Sequence, residues 1–174
     1  MKISTKKGDK GFTSLINKKT VAKNSRVIEL IGAFDELNAL LGEIYSMIKI
    51  VRVKKFINNA QNNLFKIGAE VAGYKKRLIF AADVKRVEKY VIALEKILPN
   101  LKKFILPGGD IAAAKLHIAR AVCRRAERRL AAVNRKTQLN PHLIPYLNRL
   151  SDALFLTART VNMKTGANER IVKF

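Results

Sequence analysis

Apolar residues recur every three or four positions along five stretches of this chain, and that period constrains its fold more than any other feature. From Arg26 onward, Ile28, Ile31, Leu37, Leu40, Leu41 and Ile44 keep helical spacing, and Met47 and Ile48 continue it. A second helix is predicted over about 53–73, with Phe56, Ala60, Leu64, Ile67 and Val71 on one side and Gly73 as a stop. A third is predicted near 81–98 through Val84, Val87, Val91, Leu94 and Ile97, ended by Pro99. The run Phe104-Ile105-Leu106-Pro107-Gly108-Gly109 breaks structure, and a fourth helix starts near Asp110, a natural N-cap. Its Leu116, Ala119, Cys123, Ala126, Leu130 and Val133 step by threes and fours and form an apolar seam. The fifth helix is expected from Asn140-Pro141, carrying Leu143, Leu147, Leu150, Leu154 and Val161, with Pro145 allowing a kink or a later start. No segment reads as a β-strand and none repeats. Five amphipathic helices on short connectors predict an all-α, five-helix antiparallel bundle.

One domain suffices for 174 residues, 48% of them hydrophobic. It divides into an irregular N-terminal loop at 1–25, a bundle at 26–164 and a tail at 165–174. No run approaches the length of a membrane span, and the first residues show no signal-peptide pattern. The single Cys123 cannot form an internal disulfide, which suits a reducing cytoplasm. Thirty-five Lys and Arg against 13 Asp and Glu give a formal charge of +22, so polyanions are the expected partners.

The most concentrated charge lies at Arg120-Ala121-Val122-Cys123-Arg124-Arg125-Ala126-Glu127-Arg128-Arg129. On a helix Arg120 and Arg124 project side by side, with Glu127 and Arg128 close by. Two such arginines repel unless an anion lies between them, and guanidinium groups suit phosphate oxygens. A solvated basic stripe is the plainer reading of this helix taken alone. Asn148 and Asp152 share a face of the last helix at i, i+4; Asn could contact a nucleotide and Asp could hold an arginine, or both could simply be exposed. The N-terminal Thr5-Lys6-Lys7-Gly8-Asp9-Lys10-Gly11-Phe12-Thr13-Ser14 could cradle phosphates, although its order is not that of a Walker A loop. His117 and His142 are the only histidines and neither lies in Glu-x-x-His, which argues against a di-iron bundle. Nothing suggests a zinc site or a serine triad. Cys123 sits on the seam and reads as a packed thiol.

Taken in order, these short pieces resemble the PduO-type ATP:cob(I)alamin adenosyltransferases. The likeness runs from Thr5–Thr13 and Lys23 to Asp35-Glu36-Leu37-Asn38, Gln61, Leu64-Phe65 and Gly68-Ala69-Glu70. It continues through Phe104–Gly109, Arg120–Arg128 and Tyr146–Asp152. The resemblance implies a homotrimeric five-helix bundle with active sites between subunits, transferring the 5′-deoxyadenosyl group of ATP to the cobalt of a reduced corrinoid. By position, Thr5, Lys6, Lys7, Gly8, Thr13, Ser14 and Lys23 would wrap ATP. Arg124, Arg125, Ala126, Glu127, Arg128 and Asn148 of the neighbouring subunit would complete that site. Asp35 would pair with Arg120 across the interface, Asp152 would help hold the arginines, and Phe104 would cover the corrin ring and displace its lower axial ligand.

Mg²⁺ is expected with ATP, and a corrinoid reductase and a B12-dependent acceptor enzyme are possible partners. A membrane is not expected. Ser4, Asn24-Ser25 and Ala33-Phe34 depart from the usual family pattern without removing a proposed catalytic group. The charge suggests a nucleic-acid-binding bundle as a rival, but 7% aromatic content and the lack of a known nucleic-acid module weigh against it. A bundle that keeps the fold without the activity is the other rival.

Overall fold

The computed structural model describes Lys6 and residues 8–173. A small antiparallel hairpin, β1 (Phe12–Ser14) and β2 (Thr20–Ala22), precedes five helices. These are α1 (Arg26–Met47), α2 (Val51–Val71), α3 (Ala81–Glu95), α4 (Ile111–Thr137) and α5 (Leu143–Thr165). The helices answer the periodicity; the hairpin corrects the reading of an N-terminal segment without strands. Each strand has only three residues, too few to display a two-residue alternation among lysines. The hairpin turn is held locally: Asn17 accepts the Lys19 N–H at 3.0 Å, and Lys18 takes a φ of 66°.

Cross-helix contacts fix the directions. Lys54 lies 4.9 Å over the Tyr45 ring, while Gln61 donates to the Asn38 carbonyl, so α1 and α2 are antiparallel. Glu29, Glu36 and Glu43 of α1 pair with Arg129, Arg125 and Lys115 of α4, again in opposing order. The Cys123 thiol donates to the Leu147 carbonyl and His117 meets the Phe155 ring edge, which makes α4 and α5 antiparallel. Glu88 and Tyr90 of α3 meet Arg149 and Thr157 of α5, so these two neighbours run parallel. Consecutive helices therefore alternate in direction, and the long connector after α3 lets that helix pack beside α5.

The inner helix is α5, buried at every residue from Leu156 to Asn162. Such a helix must satisfy its own polar groups. Thr157 and Thr160 donate back to the carbonyls of Ala153 and Leu156. Asn162 accepts the Asp110 N–H at 2.9 Å and donates to the Gly108 carbonyl at 3.1 Å. That clamp requires Gly109: its φ is 96°, and a β-carbon there would lie 2.2 Å from the Asn162 Oδ1. Asp110 then caps α4 by accepting the Ala112 N–H at 2.8 Å, as its position suggested.

The start of α5 moves two residues beyond expectation. Asn140 Oδ1 accepts the His142 N–H, while its amide donates to both Glu70 oxygens and to the Ile79 carbonyl. Pro145 falls in the first turn of α5, where a missing N–H costs no helical bond. Glu70 Oε1 also accepts from Leu78 N at 2.6 Å and Ile79 N at 2.8 Å. One carboxylate thus joins the end of α2, the approach to α3 and the approach to α5. Replacing it by Glu70→Ala strands these donors and should cost about 2–4 kcal/mol in urea unfolding; a loss below about 0.5 kcal/mol would show that the junction is not structural.

Candidate functional site

The site begins with how α4 divides its cations. Ala119, Cys123, Ala126 and Leu130 are buried and fix which way the helix faces. Residues adjacent in sequence point about 100° apart, so Arg124 and Arg125 cannot share a face. Arg125, Arg129 and Lys115 face α1 and are neutralised by Glu36, Glu29 and Glu43; Arg129 also donates to the Glu29 carbonyl at 3.1 Å. Arg120, Arg124 and Arg128 form a second row at i, i+4 and i+8. Among the described residues no carboxylate pairs with any of the three. The Nε of Arg120 is buried without a hydrogen-bond partner, and so are both ring nitrogens of His117 one turn earlier. Burial first, then nearby Arg120, lowers the His117 pKa and favours the neutral ring.

Asn148 borders this row from α5 and donates to Glu127 at 3.1 Å. Asp152 engages Arg149 at 2.7 Å, so within the chain it holds an arginine of its own helix. Ala126 is wholly buried and belongs to the seam, so its side chain packs in the core rather than joining the arginine row. Cys123 is not a nucleophile: burial, then the charge of Glu127, pushes its thiol pKa upward.

The hairpin forms a second cluster. Gly8 lies so close to Lys23 that a β-carbon there would sit 2.9 Å from the Lys23 Nζ. The Lys23 N–H also donates to the Gly11 carbonyl at 2.9 Å. Thr13 and Ser14 line a cavity of about 560 Å³ with Ile28, Ile31 and Asp35 of α1 and Phe65 and Gly68 of α2. Asp35 and Lys6 are exposed. Thr5 and Lys7, also expected at the nucleotide, lie outside the described residues. The cavity includes no α4 residue, and Asp35 forms no ion pair with Arg120 within this chain. One chain therefore gathers Gly8, Thr13, Ser14, Lys23 and Asp35 on one side, and Arg120, Arg124, Arg128 and Asn148 on another.

Phe104 stands at a third place, on the connector before α4, with 72% of its surface exposed. Its segment is not loose. The Phe104 carbonyl accepts the Val172 N–H at 2.9 Å, and the Leu106 N–H donates to the Arg170 carbonyl at 2.7 Å. The tail that pins it is anchored by buried Arg159, which donates to Glu169 and to the Pro99 carbonyl. Sequence reading marked a tail at 165–174 but missed its pairing with the Phe104 segment. The one charged hint was Arg159, set among the buried Thr157, Thr160 and Asn162 of α5, which required a buried acceptor.

These features can be set beside known proteins. The family described as cobalamin adenosyltransferase matches residues 3–161. A cobalamin adenosyltransferase of Cupriavidus metallidurans is 39% identical over 97% of this chain and 92% of its own length. A corrinoid adenosyltransferase of Bacillus subtilis is 38% identical over 97% of this chain and 91% of its own. A Phe-to-Ala variant of a PduO-type ATP:corrinoid adenosyltransferase from Lactobacillus reuteri, solved with cobalamin and ATP, superposes with a TM-score of 0.93 at 32% identity, covering 99% of this chain and 100% of that one. An Arg-to-Lys variant from the same organism, solved with ATP, superposes with a TM-score of 0.92 at 32% identity, covering 98% and 100%. Residue pattern, helix order and these likenesses agree: the chain belongs to the cobalamin adenosyltransferase family.

Proposed function

We propose that this chain transfers the 5′-deoxyadenosyl group of ATP to the cobalt of cob(I)alamin, giving adenosylcobalamin and triphosphate, in a homotrimer with active sites between subunits. The observation that carries this reading is the arginine row of α4, which has no carboxylate partner among the described residues while its neighbouring row is neutralised. A cationic row so placed suits an anion brought from outside. Gly8, Thr13, Ser14 and Lys23 lie on another side of the chain, so a second copy is the natural means of bringing the two groups onto one nucleotide. Asp35 of the partner subunit would then meet Arg120 and satisfy its buried Nε.

Cobalt(I) supplies the nucleophile, and the protein supplies alignment. The cobalt–C5′ bond forms as the C5′–O bond breaks, and the electron pair leaves on the triphosphate. Charge therefore grows on phosphate oxygens as reaction proceeds. Arg120, Arg124 and Arg128 span about 12 Å of a rigid helix and present donors to that growing charge, with Lys6 and Lys23 from the hairpin side. Asn148, oriented by Glu127, would hold the nucleotide, and Arg125, paired with Glu36 beside the free row, would border the same site. Asp152 would help hold the arginines of the assembled site; within the chain it pairs with Arg149, which also reaches Glu88 of α3.

Among the described residues no group of three or more His, Cys, Asp or Glu could cage a metal. Mg²⁺ would be held largely through the triphosphate oxygens, as this ion commonly is at phosphate sites. Phe104 would lie against the corrin, where an apolar face in place of an axial base eases reduction of cobalt(II). A corrinoid reductase would deliver the electron and a B12-dependent enzyme would take the product, in the cytoplasm. No helix among the described residues is long and apolar enough to cross a membrane.

Arg124→Ala should lower kcat by about 10²–10³ with the assembly intact by sedimentation; wild-type turnover would overturn the arginine assignment. Phe104→Ala should leave ATP affinity unchanged and remove the four-coordinate cobalt(II) signal in magnetic circular dichroism. An undiminished signal would return Phe104 to a merely structural role.

A further inference from the structure

A second cavity, of about 530 Å³, opens between α2 and α3 and shares no residue with the hairpin cavity. Its wall is apolar: Phe56 and Tyr90 stack at 4.2 Å and 3°, with Ala60 and Val87 beside them. Its two ends differ. At one end Arg52 and Lys55 are exposed, and Arg52 lies 5.5 Å from the Tyr90 ring centroid. This end adjoins the N-terminus of α2, whose cap Ile50 offers no side-chain acceptor and whose first turn has no acidic residue. The helix dipole and both cations therefore favour an anion there.

At the other end the Tyr146 side chain, 1% exposed, accepts a hydrogen bond from Asn63 at 3.1 Å. Its own O–H donates to no group among the described residues. Tyr90, by contrast, shares its hydroxyl with Thr157. Buried hydroxyls normally use their proton, so an acceptor is wanted at this point. That acceptor should be neutral, because the Asp83 carboxylate lines the same end. Asp83 is itself occupied by Arg86 at 2.9 Å and the Phe80 N–H at 3.0 Å. From Arg52 to Asn63 the helix rises about 16 Å.

We propose that this groove binds a long-chain hydroxycarboxylate, with its carboxylate at Arg52 and Lys55, its alkyl body along Phe56, Val87 and Tyr90, and its hydroxyl oxygen accepting from Tyr146. The cavity is within the usual size of small-molecule sites and has their character, mostly apolar with a few placed polar groups. None of its residues takes part in the proposed adenosyl transfer, so the site serves a separate ligand.

The probes are 12-hydroxydodecanoate and dodecanoate, titrated calorimetrically into the assembled protein below their micelle concentrations. The hydroxylated probe should bind once per chain. Tyr146→Phe should weaken it about fivefold while leaving dodecanoate unchanged, and Arg52→Ala with Lys55→Ala should weaken both. Asn59→Trp, on the exposed rim, fills the groove without touching the core and should abolish both. An absence of saturable binding to the wild-type protein, an equal effect of Tyr146→Phe on the two probes, or full binding to Asn59→Trp would each overturn the assignment.

Discussion

The packing of α4 between α1 and α5 governs the rest of this molecule. Its seam of Ala119, Cys123, Ala126 and Leu130 is fully buried, and the helix has no freedom to rotate about its axis. Once the seam is set, the basic residues divide. Three cations meet the three α1 glutamates, which are spaced by seven residues, and three arginines are left facing outward. The exposed pairs themselves contribute little, of order 0–1 kcal/mol each. Their significance lies in selection, because they consume one cationic row and leave the other available. The repulsion within the free row, a few tenths of a kcal/mol per i, i+4 pair, is small beside the burial that holds the helix.

The second organising element is α5. Because every residue from Leu156 to Asn162 is buried, its polar groups reach outward to the chain ends that wrap it. Asn162 clamps the Pro-Gly-Gly turn, and Arg159 anchors the tail that pairs with the Phe104 segment. An exposed aromatic ring thereby gains a fixed backbone. The same helix begins at the Glu70–Asn140 junction, so both ends of the bundle are tied by side chains binding backbone.

Much of this was legible in the sequence, for a physical reason. Helical burial repeats along tens of residues, so the five helices and the seam of α4 announce themselves. Asp110 was readable as a cap because capping is local. The three-residue strands were not readable, since two short segments carry no period. Asn140 looked like a cap for α5, and its Oδ1 does accept the His142 N–H; that its amide N–H groups also tie Glu70, seventy residues away, is revealed only by the fold. Arg125 and Arg124 looked alike in a run of basic residues. Their separation depends on α1, whose Glu36 claims one and leaves the other. The pairing of the tail with the Phe104 segment could not be read directly, since backbone pairing leaves no mark on side-chain type; Arg159 signalled only that an acceptor lay near.

The most direct test is a crystal structure of the assembled protein with ATP and cobalamin. The triphosphate should lie against Arg120, Arg124 and Arg128 of one subunit and the Gly8–Ser14 hairpin of the next, with the ribose C5′ turned toward cobalt. A triphosphate bound within a single chain, or seated away from this arginine row, would contradict the account.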